Sequence, residues 1–88
     1  MPRTFRATLT FSVHNQNHYG KVPIDETVVR DLGLKPGETV RASMRGTEFT
    51  GKLHGSLNAP GLLVPIDIVR ALGLRDGQGV RLTVHGRA

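Results

Sequence analysis

A chain of 88 residues without cysteine makes one small domain, 1–88, in which no disulfide or thiolate-held metal can staple the core. Twelve Lys and Arg against seven Asp and Glu give a net charge of +5, which favours a polyanionic partner. The length excludes a separate catalytic domain, and no apolar run approaches the roughly 20 residues that span a bilayer. Met1-Pro2-Arg3-Thr4-Phe5-Arg6 has no apolar segment of signal-peptide length, so a cytoplasmic protein without membrane contact is expected.

From Arg3 to His14 the pattern has period two. Phe5, Ala7, Leu9, Phe11 and Val13 share one side, and Arg6, Thr8, Thr10 and His14 the other, which predicts a half-buried strand. Asn15 to Gly20 is polar and predicts a reversal, followed by a short strand from Lys21 to Ile24. Asp25 is expected to cap a helix from Glu26 to Leu32, because a carboxylate there accepts the free amides of the first turn. Gly33 is the expected stop, and Lys35-Pro36-Gly37-Glu38 has the chemistry of a turn with positive φ at its third residue. Thr39 to Arg45 alternates again, with Val40, Ala42 and Met44 inward and Arg41, Ser43 and Arg45 outward.

After a tight connection at Gly46-Thr47, a strand from Phe49 to Leu57 carries Phe49, Gly51, Leu53 and Gly55 on its inner side. The two glycines point to bends or a close backbone approach. Asn58 to Gly61 predicts a turn and Leu62 to Ile66 a strand. Asp67 is expected to be a second cap, Ile68 to Leu72 a second helix and Gly73 its stop. Arg75 to Gln78 forms a turn before a last strand with Val80, Leu82 and Val84 inward and Arg81, Thr83 and His85 outward.

The second half of this account repeats the first. Val22-Pro23-Ile24-Asp25, Val29-Arg30, Leu32-Gly33-Leu34, Gly37, Val40-Arg41 and Gly46 return as Val64-Pro65-Ile66-Asp67, Val69-Arg70, Leu72-Gly73-Leu74, Gly77, Val80-Arg81 and Gly86. With two residues near Glu26-Thr27 omitted from the first copy, more than half of the aligned positions are identical. Upstream, Phe5, Leu9, Ser12 and Val13 line up with Phe49, Leu53, Ser56 and Leu57 at one constant offset. The chain therefore reads as two repeats, 3–46 and 48–86, each of about forty residues and each unable to bury its apolar face alone. Two strand-strand-helix-strand units predict a mostly β fold with two short helices. Its six strands are expected to close as a small barrel with pseudo-twofold symmetry, which removes exposed edges.

The run from Val22 to Val40 (Val-Pro-Ile-Asp, Val-Val-Arg-Asp-Leu-Gly-Leu and Lys-Pro-Gly-Glu-Thr-Val) resembles the core of the AbrB, MazE and SpoVT antitoxin-like transcription factors. Those proteins usually build their barrel from two identical chains. The duplicated layout looks still more like an internally repeated bacterial family of unknown function, with a double-split or double-psi barrel. The resemblance implies a DNA-binding regulator that works as a single-chain pseudo-dimer, with Arg3 and Arg6 matching the placement of the family's DNA-contacting arginines.

The residues themselves say little of catalysis. No nucleophile elbow or phosphate loop is present, and Asp25 and Asp67 are accounted for as caps, so a non-enzymatic protein without a cofactor is expected. His14 and His18 have a zinc-like interval but flank a polar loop, and no metal site is expected. What remains is charge. Arg6, Arg41, Arg45, Lys52 and Arg81 fall on outward strand positions among Thr, Ser and His, with Glu48 the only acid there. Such a face suits phosphate contact, and Arg3, Arg6, Arg41, Arg45, Lys52, His54 and Arg81 are the candidate nucleic-acid-binding residues. Double-stranded DNA is the first expected partner. A protein-binding or structural adaptor is the alternative, and a small-molecule barrel the third. A monomer or weak homodimer fits either of the first two.

Overall fold

The alternation that reads as strands in the sequence closes a barrel in the computed structural model, which describes residues 2–14, 17–56 and 59–88. Among them the elements run β1 (Arg3–His14), β2 (Asn17–Pro23), α1 (Glu26–Asp31), β3 (Thr39–Met44), β4 (Thr47–Ser56), β5 (Ala59–Pro65), α2 (Ile66–Ala71) and β6 (Gln78–Arg87). The strands close in the order β1-β2-β5-β4-β3-β6, and every pairing is antiparallel. None of these helices is long and apolar enough to cross a membrane. Val40, Ala42 and Met44 of β3 and Val80, Leu82 and Val84 of β6 all point into the core, as their parity requires. Leu9, Val22, Leu53, Leu62 and Val64 complete its centre.

Two strands pair with their two neighbours over successive stretches that do not overlap. β1 pairs with β6 through Leu9 and with β2 from Thr10 onward. In the same way β4 pairs with β3 through Lys52 and with β5 from Leu53 onward. At each change of partner a turn from the other half of the chain fills the gap. The Gly37 amide donates to the Leu53 carbonyl and the Gly77 amide to the Leu9 carbonyl, both at 2.7 Å.

The local chemistry also recurs. Leu34 N–H donates to Val29 O and Gly33 N–H to Arg30 O, and Leu74 to Val69 and Gly73 to Arg70 repeat the pair. This is a Schellman ending, and Gly33 (φ 65) and Gly73 (φ 63) supply the left-handed residue it needs. The Glu38 side chain accepts the Lys35 amide as Gln78 accepts that of Arg75. The β3–β6 register is symmetric about Ser43 and Thr83, with Ala42 opposite Val84 and Met44 opposite Leu82.

Several expectations need correction. The second helix starts at Ile66, with Pro65 at its N-cap and no side-chain capping bond, so Asp67 lies inside the first turn and is not a cap. The second copy lacks two residues here, and its chain enters the helix directly from Pro65. Asn17 to Gly20 is strand, because it pairs in register with Phe11 to His14 and pairing overrides turn propensity. Ala59 to Gly61 likewise belongs to β5. Phe11 is half exposed, because Leu9 and Val69 already fill the space above its partner Gly20. Phe5, Leu32 and Leu72 are only partly buried, unlike Phe49, Leu34 and Leu74. The expected turn residues Asn15 and Gln16, the connection at Leu57-Asn58 and the side chains of His14 and His18 lie outside the described residues.

The first cap forms as expected. Asp25 accepts the Thr27 amide at 2.9 Å and the Thr27 hydroxyl at the same distance. These two bonds, the backbone one foremost, hold its carboxyl below the ordinary range; a little desolvation opposes them and the charge of Arg3 adds to them. A depressed carboxylate contributes stability that is complete above the unfolded value of about 4 and is lost as pH falls through the folded one. Asp25→Ala is therefore expected to lower the melting temperature at pH 7 by about 4–8 °C, a difference that shrinks in acid, while Asp67→Ala moves it less. Thermal denaturation followed by circular dichroism between neutral and acid pH checks both.

The inner glycines predict a second outcome. A Cβ at Gly51 would lie 2.1 Å from the Leu63 carbonyl oxygen, which is backbone and cannot yield cheaply, whereas one at Gly79 meets nothing within 4 Å. Gly51→Ala should destabilise the barrel by about 1–3 kcal/mol in urea denaturation, and Gly79→Ala should change it far less.

Candidate nucleic-acid interface

The outward side of β1, β6, β3 and β4 forms one continuous surface, because these strands are neighbours in the barrel. A row of polar side chains crosses it, Thr4 opposite Thr83, Thr83 opposite Ser43, and Ser43 opposite Glu48. The Thr4 and Thr83 hydroxyls are 2.8 Å apart, and the Ser43 hydroxyl lies 3.0 Å from His85 Nε2. No carboxylate among the described residues pairs with His85, so the serine-histidine contact lacks the third group that orients a catalytic pair.

Cations flank this row on both sides. Arg6 on β1 lies directly opposite Arg81 on β6. Across the row Arg41 is opposite Thr50 and Lys52 is opposite Thr39. All four cations are exposed, and among the described residues none of them forms an ion pair. Directly opposed like charges are destabilising on a sheet, so the Arg6–Arg81 pair works against the fold that holds it. Gly79 leaves open space beside this pair, and shallow recesses there are lined by Arg6 and Arg81 and by Arg45, Ser43 and Thr83.

Two expected site residues are engaged elsewhere. Arg3 bonds to Asp31 at the end of α1. Arg45 leaves the strand pattern: with Gly46 it forms the two-residue β3–β4 hairpin, both residues with positive φ (51 and 79), and it donates to the Leu72 carbonyl at 2.9 Å. Arg87 lies beyond the end of α1, bonding Gly33 O one residue past the C-cap and pairing with Glu38. Each helix thus has an arginine at its C-terminal end, where the helix dipole favours a cation. Arg30 pairs with Glu26 within α1 at 3.7 Å.

His54 is exposed on β4 beside Lys52, at the rim of a cleft of about 860 Å³. The cleft lies where β4 changes partner, between the Pro36-Gly37 turn and Tyr19, Leu63 and Pro65. In the sequence Tyr19 reads only as a residue of the polar loop and an unusual metal ligand; its place in the cleft and the Arg6–Arg81 opposition are not legible there, because both depend on strand register. Only the parity of the arginines was visible beforehand. Among the described residues no three His, Asp or Glu side chains gather as a metal site would require.

Comparison with known proteins finds no family model and no curated protein that matches this chain.

The opposed arginines predict that Arg81→Glu stabilises the protein, since an attraction replaces a repulsion across the β1–β6 pair. A gain of about 0.5 kcal/mol is expected at low ionic strength, smaller at 1 M salt. Urea denaturation at two salt concentrations measures it, and a loss of stability would mean that Arg81 makes a contact that holds the fold.

Proposed function

We propose that the chain is a non-enzymatic DNA-binding module of AbrB-like type, a single-chain pseudo-dimer that grips duplex phosphates with Arg6, Arg81, Arg41 and Lys52. The observation that carries this reading is the Arg6–Arg81 opposition, which has no counter-charge among the described residues and is unfavourable unless an anion joins it. Spacing supports it. Arg41 and Arg81 stand two residues from Ser43 and Thr83 in opposite directions, so strand rise separates them by about 13 Å. That is close to the roughly 12 Å width of a B-DNA major groove, whose two flanking backbones carry the phosphates. The hydroxyls between them suit contacts that set register. The motifs that resemble AbrB, MazE and SpoVT support the same reading, as does the basic balance of the chain, and a cytoplasmic location belongs to it.

The adaptor reading is weakened by closure. Among the described residues each of the six strands pairs with two neighbours, so a partner strand would have only the stretches of β1 and β4 beyond each ladder to pair with.

Retention of a labelled blunt duplex at two salt concentrations tests the proposal. Affinity should fall with a log–log slope of about 0.9 per phosphate neutralised, and Arg6→Ala, Arg41→Ala, Lys52→Ala and Arg81→Ala should each lower that slope by about one. Arg3→Ala and Arg45→Ala should matter less, because both side chains already hold protein partners, and Arg75→Ala on its turn is the control. Absence of binding at tens of micromolar protein in low salt would overturn the proposal and leave the adaptor.

A further inference from the structure

The two halves of the barrel share a layout but differ at their partner-change points. On β1 the Asp76 carboxylate of the docked turn accepts the Phe11 amide at 2.9 Å and bridges turn to strand. The corresponding residues of the other half are Pro36, which offers no carboxylate, and Gly55, which has no side chain. There the bridge is missing, and the gap is the cleft of about 860 Å³, within the range of small-ligand sites. Lys21 of the first copy corresponds to Leu63 of the second, so an apolar residue faces the opening where the other copy has a cation.

We infer that this cleft receives one unpaired nucleobase of a DNA strand whose phosphates lie on Arg41 and Lys52. Tyr19, Leu63 and Pro65 offer an aromatic ring and an apolar wall to a flat ring system, while Thr39 and Thr50 line the opening with hydroxyls. Thr50 is the cross-strand partner of Arg41, and Thr39 that of Lys52, so the cleft opens directly onto the cationic face. No acid lines it, which suits a nucleotide and disfavours a basic peptide. The inference rests on the phosphate-binding reading of that face and narrows its ligand to DNA with an unpaired nucleotide beside the duplex.

Tyr19 is the only tyrosine and there is no tryptophan, so its emission reports on the cleft alone. The full chain is titrated with three DNAs: a blunt duplex, the duplex extended at one 3′ end by thymidines, and the duplex extended by abasic sites of equal length. The thymidine extension should bind about tenfold more tightly than the other two and should alone quench Tyr19. Labelled-DNA anisotropy should show that Tyr19→Leu removes the tenfold gain and leaves blunt-duplex affinity unchanged, while Tyr19→Phe keeps the gain. Equal binding of all three DNAs with no quenching, or a gain that survives in Tyr19→Leu, would overturn the inference while the phosphate reading stands. Failure of every DNA to bind would overturn both.

Discussion

The architecture depends on how the backbone is satisfied where β1 and β4 change partners. A strand that leaves one neighbour for another exposes a carbonyl at the point of change, and a buried unpaired polar group costs about 1–3 kcal/mol. The amides of Gly37 and Gly77 supply those bonds to Leu53 and Leu9. Each bond ties the turn after a helix of one half to the strand of the other, so neither half is complete alone. The described residues leave no buried side-chain polar atom unpaired. The outward face follows from this closure, since it brings β1 and β6 together and so sets Arg6 against Arg81.

Charge is distributed over this scaffold in two ways. Around α1 and the turn after it arginines are matched, Arg3 by Asp31, Arg30 by Glu26 and Arg87 by Glu38. On the outward sheet face Arg6, Arg41, Lys52 and Arg81 are unmatched among the described residues. Surface ion pairs contribute little to stability, so the matched set is not what holds the barrel together. Its effect is to remove those three arginines from the free positive charge, while the sheet face keeps its four unpaired cations. Local rules are usually broken where function requires it, and the opposed arginines break the cross-strand rule most plainly.

Most of the fold was legible because it rests on periodicity and on glycine chemistry. The inward residues of β3 and β6, the stops at Gly33 and Gly73 and the turns at Gly37 and Gly77 all follow from patterns a few residues long. Misreadings arose where distant pairing decides. Asn17 to Gly20 has turn composition but is held as strand by β1, and Phe11 has core parity but lies where Leu9 and Val69 have taken the room. Asp67 copies Asp25 in sequence, yet a two-residue deletion moves the helix start past it. For the face, parity gave the side of each arginine; which arginine stands opposite which is a matter of register, and register is not a local property. Arg45 shows the limit well, since its strand-like spacing ends in a hairpin turn that redirects the side chain to α2.

The difference between the halves carries its own argument. A symmetric protein would have two equal partner-change points, and the matched Schellman endings and turn bonds show that the backbone keeps them nearly equal. The asymmetry lies in the local backbone as well as in side chains at the same places: Asp76 bridges to the Phe11 amide in one, while Pro36 offers Gly55 no carboxylate in the other, and Gly55 takes a positive φ that Phe11 does not. Gly55 has φ 94, and a Cβ there would meet the Ala59 carbonyl oxygen at 2.5 Å, so glycine at that position is required by the backbone. The open cleft is thus built into the second copy's backbone path and does not depend on one small side chain. It sits beside Arg41 and Lys52, on one side of the polar row. On the other side of that row two arginines stand opposed instead. One scaffold thereby presents two unlike surfaces across a single polar row.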